Sequence, residues 1–414
     1  GDGGLRKQGA ATLFLAGANT YTGKTEVEGG NLIATLLASV PGYNVAGEVT
    51  VASGAAFGGR IGPANLSGAD FAALVAEVDF APDARLAVDT AAGAVIMTRD
   101  LGTLTKLGTA VNVAKVSANA LTLDMAGQSF TGNINVSGGT LILDTTGTES
   151  YAGNITGNQT LTVQGTGSTL SLTGSSTIGT FNKNGTGTLE IPSGSLTLAG
   201  SQNFYAHQGT VRQTGGSLNT GAYTVIGRTT GLAAEYVIEG GVFNANGGGT
   251  PRNMVIAEQG STGVLTINGG TVNANNSTAG SAIGGNYYGI LMTGTAADNG
   301  TLNLNGGTLL LSRITALDAT APSVFNFNGG LLKANNSFSN FMQGLSRANV
   351  RDGGAVIDTN GNDITIYQSL LHSDISGDAA IDGGVTKLGA GNLQLAGYNE
   401  YTGDTVVGGG SLTL

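Results

Sequence analysis

The sequence predicts an all-β chain wound as a right-handed parallel β-helix, a β-solenoid, and three observations carry that reading. Apolar residues come in short alternating stretches, such as Tyr236-Val237-Ile238, Val264-Leu265-Thr266-Ile267 and Leu302-Asn303-Leu304, closed by glycine or asparagine. Gly-Gly followed by an apolar residue within two positions recurs at Gly215, Gly240, Gly269, Gly306 and Gly329, with spacings of 25, 29, 37 and 23. A coil of about 20–25 residues with loop insertions accounts for those intervals. Third, the end of the chain repeats its beginning without a gap, so that Gly4 and Gly384, or Lys7 and Lys387, stand 380 positions apart. The 72 glycines could signal collagen or disorder, but only 6 prolines, no three-residue period and 40% hydrophobic residues exclude both.

The repeated frame is Gly4, Lys7, Gly9, Leu13, Leu15, Gly17, Tyr21, Thr22 and Gly23 at one end, and Gly384, Lys387, Gly389, Leu393, Leu395, Gly397, Tyr401, Thr402 and Gly403 at the other. It resembles the autotransporter-associated β-strand repeat, also called the passenger-associated transport repeat. The resemblance covers residues 2–33 and 382–414, with weaker copies at Leu104–Gly108 (Lys106) and Phe181–Ile191 (Lys183). It implies export as a passenger to the bacterial surface or medium.

Residues 1–60 hold the first repeat and its extension, with short strands at Thr12–Ala16, Thr25–Val27, Asn31–Ile33 and Glu48–Val51. Residues 61–100 interrupt the pattern. There Phe71, Leu74, Val75 and Val78 take helical spacing behind Ser67, an N-cap, so a short helix over 67–78 is expected on the outside or end of the solenoid. Strands resume at Leu86–Asp89 and Ala94–Met97. Residues 101–205 continue the solenoid, 206–380 carry the Gly-Gly coils, and 381–414 begin the next long repeat. About 16–20 coils are expected in all, stacked about 4.8 Å apart.

The net charge of −10 comes with scattered Lys and Arg, which excludes nucleic acid as a partner. No apolar run is long enough to span a membrane, and with no cysteine there is neither a disulfide nor a thiolate metal site. The chain opens at Gly1 without a signal peptide, as a processed protein or a piece of a longer one would.

Candidate chemistry is sparse. His207 and His372 have no acid or histidine beside them in sequence and are expected to be structural or exposed. Glu235, Glu239 and Glu258, with Arg228 and Arg252, are the best acids for a polysaccharide lyase or hydrolase site, though solvated surface charge explains them more simply. Asp358-Thr359-Asn360-Gly361-Asn362-Asp363 faintly resembles a calcium loop, but Asn-Gly between two strands is more simply a tight turn.

The expectation is a non-catalytic structural protein without cofactor or metal, forming an extracellular or cell-surface rod or filament. Neither end reads as a cap, which suggests self-association, either in a tandem protein or head to tail. The alternatives are an adhesin binding glycan or host protein through the Asn286–Gly289 loop or the Asp70–Val78 helix, and a β-helix lyase or hydrolase.

Overall fold

Stretches of three to six apolar residues cut off by glycine are too short to stand as an isolated sheet and need neighbours of the same kind on both sides. The computed structural model describes residues 2–245, 252–274 and 287–414, and divides into two units, Gly1–Gly179 and Thr180–Leu414. Each is a parallel β-solenoid in which a strand pairs with the equivalent strand of the next coil.

In the first unit, one sheet stacks Leu5–Lys7, Thr25–Val27, Val49–Val51 and Asp79–Phe80. The neighbouring sheet begins at Thr12–Leu15 and runs through Asn31–Ala34, Ala56–Arg60, Arg85–Asp89, Asn112–Val116 and Ile134–Val136. Its inward column is Leu32, Phe57, Leu86, Val113, Ile134 and Ile155, in register and fully buried. Each buried methylene in such a column contributes about 0.8 kcal/mol. A third sheet starts only at Val95–Met97 and continues through Leu121–Asp124, Thr140–Thr145 and Thr160–Gly165.

The first coils lack that third sheet, and helix α1, Gly68–Val75, comes between Ala56–Arg60 and Asp79–Phe80 in the chain. Ser67 caps it as expected: its hydroxyl accepts from the Asp70 amide and the Asp70 carboxylate accepts from the Ser67 amide, a reciprocal capping box. Phe71, Leu74 and Val75 are buried. Gly59 makes room, since a Cβ there would stand 2.2 Å from Leu66 Cδ1 and 3.2 Å from Leu74 Cδ2.

In the second unit three sheets run in parallel. One carries the column Leu196, Leu218, Phe243, Val272, Leu309, Leu332, Ile357 and Lys387. Another carries Leu189, Val211, Tyr236, Leu265, Leu302, Phe325, Ala348 and Leu370. The Gly-Gly pairs turn the corners. Gly241 has φ +77°, and a Cβ there would lie 2.4 Å from Gly216 O in the coil before, so both the turn and the stacking demand glycine.

Outward asparagines also stack. Asn273 Nδ2 donates to Asn244 Oδ1 at 2.7 Å, and Asn244 Nδ2 to Asn219 Oδ1 at 2.8 Å. Asn349, Asn326 and Asn303 form a second ladder at 2.8 and 2.7 Å.

One expected copy of the repeat is not a coil corner. Leu104–Gly108 lies between two 3-10 turns, Leu101–Thr103 and Gly108–Ala110, and Lys106 is exposed, pairing with Asp79 at 2.9 Å and Glu77 at 3.4 Å. The Asp100 carboxylate accepts from Gly102 N at 2.9 Å and closes the turn before the Lys-x-Gly frame can extend. The lysines that enter corners of this unit are Lys7 and Lys115.

Candidate functional site

A lysine side chain is long enough to bring an ammonium under a glycine turn, where backbone carbonyls are short of donors. Among the described residues four lysines do this. Lys7 Nζ donates to Gln8 O, Gly9 O and Gly29 O at 2.9, 2.7 and 2.8 Å. Lys115 Nζ donates to Ser117 O, Asn119 O and Gly138 O at 2.5, 2.5 and 2.6 Å. Lys387 Nζ donates to Thr359 Oγ1, Leu388 O, Gly389 O and Gly409 O at 2.9, 2.9, 2.6 and 3.0 Å. Each ammonium thus ties its own turn to a glycine of the next coil. Taking the charge out of water costs several kcal/mol, and bonds of about 1.5–3 kcal/mol each offset it. The frame is not bound to one face: Lys7 sits in the first sheet of its unit and Lys115 in the second, where the first copy places its following strand.

The fourth corner, at Lys183, is altered. Its Nζ donates to Asn184 O and Gly185 O at 2.8 and 2.9 Å, but to the next coil only at 3.3 Å, through Gln208 O. Gln208 stands where the other three corners have Gly29, Gly138 or Gly409. A Cβ at those glycines would meet a carbonyl of the preceding coil at 3.3, 2.9 and 3.1 Å respectively. A side chain at this place therefore goes with a looser corner, and a groove of ≈ 370 Å³ opens, lined by Asn182, Asn184, Gly185, His207, Gln208, Thr229 and Leu232. Burial pulls Lys183 down to about 8, so its ammonium persists at neutral pH.

His207 Nδ1 lies 2.8 Å from Thr229 Oγ1, which fixes the ring. Burial lowers its pKa, and the nearby Arg228 lowers it further, so the imidazole is neutral at physiological pH. Beside the groove Arg228 lies over the Tyr205 ring, 3.9 Å from its centroid, and pairs with Glu258 at 3.2 Å. Tyr223 donates its hydroxyl to the other Glu258 oxygen. Tyr205 and Tyr223 pack on a buried cluster of Val225, Val255 and Leu291.

The acids expected for a lyase site are dispersed by this arrangement. Glu258 is held by Arg228 and Tyr223, whereas Glu239 pairs with Arg212 at 2.8 Å, which also holds Glu190. Glu235 accepts from Thr266 Oγ1 at 3.4 Å. The Arg252 side chain lies outside the described residues, as does Asn286 of the expected adhesive loop; Tyr287–Leu291 is strand. Asp358–Asp363 is a turn, with φ +52° at Asn360 and +80° at Gly361 and with Asp358 paired to Lys333 at 2.9 Å.

His372 is not isolated. Its Nδ1 lies 2.9 Å from Asp382 Oδ2. The nearly buried Asp382 also accepts from the amides of Gly384, Thr402 and Gly403 at 2.9, 2.7 and 2.9 Å. Burial would raise the carboxyl, but the Thr402 amide, His372 and the Gly403 and Gly384 amides outweigh it and hold it lowered. This network holds the Tyr-Thr-Gly segment of the repeat. Asn182 and Asn184 flank Lys183 in a visible copy of the repeat, but nothing local joins them to Gln208 and Thr229; the replacement of a repeat glycine by Gln208 was the one available signal.

Fold and corners together define a parallel β-solenoid with a recurring lysine corner. The passenger-associated-transport-repeat family matches at residues 5–34, 114–143 and 385–414, and the chain carries this repeat at its two ends and in between. It is similar to the adhesin BmaC autotransporter of Brucella suis biovar 1 (strain 1330), 28% identical over 307 residues, which are 61% of this chain and 8% of that protein. The chain thus spans a small fraction of that relative's length. No solved structure matches significantly. Among the described residues no helix is long and apolar enough to cross a membrane.

Proposed function

We propose that this chain is a stretch of a cell-surface or extracellular passenger that serves as a non-catalytic rod, extended by tandem or head-to-tail stacking of solenoid repeats with a period of about 380 residues. The supporting observation is the recurrence of the lysine corner: the same frame, with the same pairing offset, is found at Leu5–Lys7 with Thr25–Val27 and at Val385–Leu388 with Thr405–Val407. A repeat that locks its own coil to the next suits a part whose work is to hold length. Electron microscopy of native material tests this: uniform rods with an axial repeat set by about 380 residues support it, and isolated short particles of one length refute it.

A second reading has its own support. The relative is an adhesin by name, and the groove at His207 presents hydrogen-bonding groups on an otherwise laddered surface. On this reading the same solenoid carries an adhesive contact.

A further inference from the structure

We infer that the altered corner at Lys183 is a binding groove for an uncharged saccharide. The inference rests on the adhesive reading but not on the rod.

The outward amides of the second unit are mostly spent on one another, in the Asn219–Asn244–Asn273 and Asn303–Asn326–Asn349 ladders. Those of Asn182, Asn184 and Gln208 are not: among the described residues none of the three side chains makes a hydrogen bond, and all three face one concave surface. An amide offers a donor and an acceptor side by side, which matches a pair of neighbouring sugar hydroxyls. His207 adds a neutral ring whose Nδ1 is already engaged by Thr229, and Leu232 adds an apolar wall.

Charge argues against an anionic ligand. The Lys183 ammonium is buried beneath the turn and committed to three carbonyls. Arg228, half-buried beside the groove, is paired with Glu258 and held against Tyr205. A ligand here meets donors and acceptors but no free charge. The altered corner also explains why the site occurs at this coil: where glycine replaces Gln208, the next coil's turn closes on the lysine and contributes no side chain.

The test is a glycan array probed with the whole chain, followed by calorimetric titration of the best neutral hit. Gln208→Gly restores the repeat's own residue and should close the groove; His207→Ala with Asn184→Ala removes polar contacts while keeping the corner. Each should weaken binding about tenfold or more, with unchanged far-UV circular dichroism and with little dependence on salt. Binding of neutral saccharide that survives both variants overturns the site while leaving the adhesive reading intact. No saccharide bound at all overturns the site and leaves an adhesive contact with a protein partner standing. Binding confined to anionic glycans and lost at high salt overturns the assignment in favour of Arg228.

Discussion

Lys115→Met asks whether the corner ammonium holds coils together. Methionine keeps most of the stem's length and bulk but donates nothing. The carbonyls of Ser117, Asn119 and Gly138, now at 2.5, 2.5 and 2.6 Å from Nζ, lose their common donor. Three charge-assisted bonds at about 1.5–3 kcal/mol each are lost, while the several kcal/mol of ammonium desolvation is returned, leaving a net loss of about 2–4 kcal/mol. The loss should be local, because each coil contacts only its neighbours. Amide exchange is therefore the better assay: protection should fall at Asn112–Val116 and Ile134–Val136, which the lysine joins, and persist at Thr224–Ile226 in the other unit. Lys106→Met is the control, since that lysine is exposed and should leave exchange unchanged. If Lys115→Met exchanges like the native protein, the ammonium is a tolerated passenger of the corner and not its lock.

Four further outcomes are expected. Burial lowers Lys115, with Asp89 partly opposing, and Lys183, each to about 8 from an ordinary 10.5. Between those values the unfolded chain holds protons that the folded chain has shed, so stability should rise with pH across that window; melting temperatures of Lys183→Met against the native chain should show a shallower rise. Tyr236→Phe removes a buried hydroxyl that donates to Gln213 Oε1 at 2.6 Å and should cost about 1–3 kcal/mol in urea unfolding, by leaving that oxygen unpaired. Asn244→Ala breaks its ladder in the middle and should cost about 1–2 kcal/mol; an unchanged urea midpoint would show the ladder to be decorative. Ser67→Ala removes the cap of α1 and should cost about 1 kcal/mol, read as faster exchange within Gly68–Val75.

The sequence by itself determined the fold class, because a coil that must return to its start every twenty-odd residues writes a period, and the glycines that turn it leave no other reading. The capping box at Ser67 and Asp70 was equally legible, since all its partners lie within one helical turn. The lysine frame was visible at both ends, but its purpose was not, because the acceptors of Lys7 include Gly29, in the next coil. Lys106 shows how a local motif misleads: it has the right neighbours in sequence but lies between two 3-10 turns, its ammonium on Asp79 and Glu77 and not under a glycine turn.

Tertiary structure alone decided which residues meet across coils. His207 reaches Thr229 over 22 residues and Tyr223 reaches Glu258 over 35, so no fixed spacing announces the groove. Coil lengths vary because insertions leave the stacked strands undisturbed, and stacking is what the hydrophobic columns enforce. A chain under that rule keeps its core pattern readable in sequence, while its surface chemistry is assembled by register.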